Sequence, residues 1–170
     1  MSKADSIQLP ATVISKSEIS QFLVREASLL DDQDFRAWNE LFTVEGIYWI
    51  PSRRGQTDPL NEVSHMYEDS LLRDIRATRL ERSAPSLQPM PVTSHLISNC
   101  AIDGFDEERR IATTRSRFIV TQYHRDDVAQ FSGECIHKLI IGDSGNIKIE
   151  MKRVNLVNCE GMIGDILVCI

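Results

Sequence analysis

The stretch VTSHLISNCAIDGFDEERRIATTRSRFIVTQYHRDDVAQFSGECIHKLIIGDSGNIKIEMKRVNLVN, residues 92–158, decides the fold. It divides into four long runs rich in β-branched and aromatic residues: Val92 to Asp103, about Arg110 to His124, about Val128 to Ile141, and Asn146 to Asn158. The breaks between them are turn-like: Asp103-Gly104, His124 to Asp127, and Gly142-Asp143-Ser144-Gly145. Parallel neighbours need crossovers of a dozen residues or more, so long strands joined this tightly form antiparallel hairpins.

Upstream the pattern is helical. Ser15-Lys16-Ser17-Glu18 has the spacing of a capping box. Ile19, Phe22, Leu23, Ala27 and Leu30 follow on one face of an amphipathic helix. Asp34 is placed to cap a second, short helix carrying Phe35, Trp38 and Leu41. Gly46-Ile47-Tyr48-Trp49-Ile50 reads as a strand that stops at Pro51, and Ser52 to Asn61 as a loop. A third helix is expected over about Tyr67 to Arg82, then an extended connector held by Pro85, Pro89 and Pro91. Helices first and a long meander after them give an α+β chain, its helices on one face of a curved sheet. Such a sheet makes a cone whose mouth is a natural pocket. Residues 1–14 read as an arm and 15–170 as a single domain.

Composition narrows the function classes. The chain has 170 residues, 19 basic against 25 acidic, for a net charge of −6. An acidic chain lacks the field that nucleic-acid binding requires. No run approaches the ~20 apolar residues of a membrane span. MSKADSIQLPATV has no apolar core of a secretory signal, so a cytoplasmic location is expected. Cys100, Cys135, Cys159 and Cys169 are widely spaced, which suits free thiols in a reducing compartment.

Metal motifs are missing: no paired Cys/His spacing for a Rieske centre or zinc, no H-E-x-x-H, and no phosphate loop. Tyr48, His65, Asp69 and His95 form a candidate acid–base set, because a histidine held by a carboxylate beside a tyrosine suits proton abstraction or dehydration. The plainer reading makes His95 a hydrogen-bonded core residue and pairs Asp69 with Arg73 one helical turn on. Arg73, Arg76, Arg79 and Arg82 recur every third residue, as a solvated face or as a rim for a partner's carboxylates. Ile166, Leu167, Val168 and Ile170 make an apolar segment that must dock, on its own sheet or on another subunit.

Four blocks in order, FLVREASLLDDQDFRAWNELFTVEGIYWIP, DPLNEVSHMYEDSLLRDIRATRLE, HLISN and KRVNLVN, resemble the small (beta) subunit of bacterial aromatic-ring-hydroxylating dioxygenases. The resemblance runs from about Ile19 to Asn158 and implies the cystatin-like cone of nuclear transport factor 2, ketosteroid isomerase and scytalone dehydratase. It further implies a mainly structural, non-catalytic role. The cofactors, a Rieske [2Fe-2S] cluster and a mononuclear iron, would belong to an alpha subunit, with this chain in a three-plus-three hexamer built on a trimer. The arginine series and the apolar segment would then be interface features. The competing expectations are a stand-alone isomerase or dehydratase, or a ligand-binding protein, on the same cone.

Overall fold

The computed structural model describes residues 14–82 and 85–170. Ile14 is buried, and the rest of the expected arm, residues 1–13, lies outside the described residues.

Helix α1 (Lys16–Asp31) starts at the expected capping box. The Glu18 amide donates to Ser15 Oγ (3.2 Å) and the Ser15 amide to the Glu18 carboxylate (2.8 Å). Asp34 caps α2 (Phe35–Glu40) through the Ala37 amide. Strands β1 (Phe42–Pro51) and β2 (Ser64–Glu68) precede α3 (Ser70–Glu81). A 3-10 turn at Pro85–Leu87 then leads to β3 (Val92–Asp106), β4 (Ile111–His124), β5 (Asp127–Ile141) and β6 (Ile147–Leu156).

The six strands form one sheet in the order β2-β1-β6-β5-β4-β3. Every pairing is antiparallel except β1 with β6. At that parallel junction the register shifts between Phe42 and Ile47. Gly46 lies in the shift, where a Cβ would stand 2.7 Å from the Ile149 carbonyl oxygen, so a side chain there would push the strands apart. Along β4 and β5 buried and outward residues alternate, which sets one face of the sheet against the helices. Trp38 anchors that core edge-on to Phe42 and Tyr48, with ring centroids 5.0 and 5.5 Å away.

Three expectations are corrected. Residues 64–68 are a strand paired with β1, so the third helix begins at Ser70, not near Tyr67. Asp103-Gly104 is no turn; β3 passes through it with a shift in register and turns at residues 107–110. The proline connector is not extended throughout, since Pro85–Leu87 coils. The turn at residues 124–127 is as expected. His124 pairs with Asp127, and Arg125 and Asp126 both take positive φ, as a tight two-residue hairpin demands.

Candidate functional site

The expected acid–base set does not assemble. His65 is on β2 and His95 on β3, the two opposite edges of the sheet. His65 is an exposed residue whose Nε2 lies 2.7 Å from the Cys159 carbonyl oxygen. Asp69 caps α3, accepting from the Leu72 amide at 3.0 Å. His65 and Asp69 share no helical face, because β2 ends between them. Asp69 forms no ion pair with Arg73 among the described residues. Tyr48 points into the cone, where its hydroxyl meets Ile170.

Of this set, His95 alone has a carboxylate partner among the described residues. Its Nδ1 donates to Asp31 Oδ1 (2.6 Å) and its amide to Oδ2 (2.9 Å), while Thr93 Oγ1 donates to Oδ1 (3.0 Å). Burial pushes the His95 pKa below its ordinary 6.5 despite the Asp31 bond. The ring is neutral at pH 7, and its Nε2 faces the cone interior with no protein partner among the described residues.

The interior is organised by a group that the reading of the residues missed: Glu26, His137 and Lys152, all buried. Lys152 Nζ donates to Glu26 Oε1 (2.8 Å), as does Trp38 Nε1 (3.2 Å), and His137 Nε2 lies 3.1 Å from Oε2. Burial alone would raise the Glu26 pKa, but Lys152 and His137 outweigh it and hold the carboxylate ionised. Burial likewise opposes the charge on Lys152, and Glu26 raises its pKa in spite of that. The signal was legible in principle. Glu26 occupies the inner stripe of α1 between Leu23 and Leu30, and His137 and Lys152 take inward positions on their strands.

These side chains and Ile170 leave a cavity of about 10 Å³, room for one water. A small-molecule site of the usual kind needs about 300 Å³ or more. Ile170 of the chain's own segment lines what is left of this space. Val168, Cys169 and Ile170 belong to the core, with Ile166 and Leu167 half-buried at its margin. Val168 and Ile170 are thus buried within the chain itself.

The arginine series divides as well. Arg73 faces inward, stacked 4.2 Å over Phe42 and donating to Asn39 Oδ1 (3.1 Å) and to the Gly46 carbonyl, so it too is buried within the chain. Arg76 is clamped by Glu68, both of whose oxygens lie 3.0 Å from Nε. Arg79 and Arg82 are exposed and have no ion pair among the described residues. Arg76 and Arg79 join Leu72, Ile75, Ile166 and Leu167 around an open groove of about 320 Å³. Beside it Leu71 is 65% exposed, and Leu72 and Ile75 are each 46% exposed.

Among the described residues no group of three or more His, Cys, Asp or Glu is placed to hold a metal ion. No described helix is long and apolar enough to cross a membrane.

Residues 25–160 match the family described as ring hydroxylating beta subunit. The chain belongs to that family. The beta subunit is 30% identical over 148 residues to the 2-halobenzoate 1,2-dioxygenase small subunit of Burkholderia cepacia, covering 83% of this chain and 87% of that one. It is 28% identical over 131 residues to the toluate 1,2-dioxygenase subunit beta of Pseudomonas putida, covering 71% and 76%. Among solved structures, the beta subunit of the benzoate 1,2-dioxygenase of Burkholderia mallei superposes with a TM-score of 0.72 at 27% identity, covering 92% of this chain and 98% of that one. The α+β cone is the fold of these relatives, and a dioxygenase beta subunit implies an alpha-subunit partner.

Proposed function

We propose that this chain is the structural, non-catalytic beta subunit of an aromatic-ring-hydroxylating dioxygenase. It would support an alpha subunit that carries the Rieske [2Fe-2S] cluster and the mononuclear iron, in the cytoplasm, for the breakdown of aromatic compounds. One observation carries this reading: Val168, Cys169 and Ile170 are packed into the core, and the cavity beside Ile170 holds about 10 Å³. Apolar and cationic groups lie exposed on α3 and at its C-cap, among them Leu71, Leu72, Ile75, Arg79 and Arg82. The groove between α3 and residues 166–167 is the proposed docking surface for the alpha subunit. Its Leu72, Ile75 and Arg79 suit a segment with apolar side chains and a carboxylate. The stoichiometry proposed is a trimer of this chain within a three-plus-three hexamer. The names of the relatives favour an aromatic carboxylate as the substrate of the complex.

Co-expression with the alpha subunit tests this. The pair should copurify and, given O2 and an electron-donating reductase, turn over an aromatic substrate, while this chain alone should neither hydroxylate nor isomerise one. Turnover by the isolated chain, or failure of the two chains to associate, would overturn the proposal.

A further inference from the structure

On the other side of β1 from the α3 groove, a second cleft of about 330 Å³ opens among the end of β1, the loop at residues 53–55 and strands β5 and β6. Its floor is apolar: Pro51, Ile136, Leu156 and Cys159. Three arginines line it, and they are not equivalent. Arg53 is neutralised by Glu62, with Nε 2.9 Å from Oε2. Arg54 donates from Nη2 to the Val157 carbonyl (3.0 Å), and Arg153 from Nε to Asn155 Oδ1 (2.7 Å). Neither has an ion pair among the described residues.

Arg153 is held rigidly. Its guanidinium stacks 4.3 Å over the Trp49 ring, and Trp49 is in turn fixed by a bond from Nε1 to Ser64 Oγ (2.9 Å). A half-buried guanidinium normally has a carboxylate partner, because its charge is otherwise poorly solvated. Burial lowers the Arg153 pKa, and the acid that opposes this, Glu134, is already shared by Arg117 (3.2 Å) and Arg115 (3.9 Å). Two planar forks on an apolar floor suit a carboxylate carried on a flat apolar body. Charge selects further. Glu160 accepts from the Arg54 amide at 3.0 Å, so the positive charges of Arg54 and Arg153 are offset by one negative charge. The balance favours a monoanion over a phosphate dianion.

We propose that this cleft binds a small aromatic monocarboxylate, its carboxylate gripped by Arg54 and Arg153 and its ring laid on Pro51, Ile136 and Leu156. The site uses no residue of the α3 groove.

Calorimetric titration of the full chain with benzoate should saturate at one site per chain. Benzamide, the same shape without the charge, should bind at least about tenfold more weakly. Arg54→Gln, on an exposed loop, and Arg153→Gln should each weaken benzoate by about tenfold or more. In the NMR spectrum the Trp49 indole N–H should move with benzoate in the wild type. Absence of saturation would overturn the proposal, as would benzamide binding equally well. So would full affinity in Arg54→Gln, or inorganic phosphate competing on equal terms with benzoate.

Discussion

The Tyr48 hydroxyl donates to the Ile170 carbonyl oxygen (3.1 Å) and accepts from the Ile170 amide (3.2 Å), so one side chain of β1 satisfies both backbone groups of a residue 122 positions away. Burial and the neighbouring Cys169 keep the phenol protonated, its pKa well above 10. Tyr48→Phe leaves both Ile170 groups buried without a partner, at a cost of about 1–3 kcal/mol. A denaturant midpoint measures the loss. Removing residues 166–170 exposes the pocket that Val168 and Ile170 fill, each worth about 1.5–3 kcal/mol. That loss should not depend on protein concentration, because the contacts are within the chain.

Glu26 should dominate the response to acid. Its carboxyl is held below the ordinary 4.5, so the folded chain binds fewer protons than the unfolded one. Its contribution is fully present above about 4.5 and is lost as the pH falls through the lower folded value. Glu26→Gln leaves Lys152 buried without its counter-ion and should cost about 3–5 kcal/mol at pH 7. The double variant Glu26→Leu/Lys152→Met should be less destabilised than either single change, a result that a thermodynamic cycle reads directly.

His95 should titrate below its ordinary 6.5, and NMR of the ring protons gives the midpoint. Asp31→Asn removes the bond that supports the charged ring and should move the midpoint lower still. As the folded value lies below the unfolded one, His95 weakens the fold as the pH drops beneath 6.5.

Much of this was legible in the residues. Ser15 and Glu18 announce the first helix, and the alternation from Ile111 to Ile141 announces the inner face of the sheet. β2 was not legible. Five residues, Ser64–Glu68, cannot show a period, and His65 with Asp69 imitates a helical spacing that the Asp69 cap in fact interrupts. The candidate site was less legible than the fold. Tyr48 and His95 are buried polar groups as the pattern suggests, but sheet order decides which of them meet. That order rests on a parallel β1–β6 pairing about a hundred residues apart in sequence, which no local signal encodes. Lys152 and Glu26 went unread because charged residues at inward positions resemble solvated ones until their partner is known.

The α3 groove yields a binding prediction. Leu72→Glu with Ile75→Glu on its exposed side should prevent copurification of the alpha subunit and leave the thermal midpoint of this chain within about 2–4 °C of wild type. Arg79→Glu should weaken the complex more at low salt than at high. Retention of the complex by both variants would remove the groove from the interface.

Thiol labelling separates the cysteines. Burial pushes Cys135 and Cys169 up to about 12, so neither offers a thiolate at neutral pH. Cys100 is half-buried on β3 and should react first with a thiol reagent in the folded protein. The buried Cys135, Cys159 and Cys169 should wait for denaturant.

The parallel seam between β1 and β6 has a consequence for synthesis. During translation α1, α2 and β1 leave the ribosome long before the strand that will lie beside β1 exists. Until β6 arrives, Trp38, Tyr48 and the inner stripe of α1 have no sheet to cover them, and Glu26 has no Lys152. The chain therefore emerges with its apolar half exposed for most of its length, in the state where chaperones act and aggregation competes. Supply of this beta subunit should depend on how well that half-made state is protected, as well as on the stability of the finished cone.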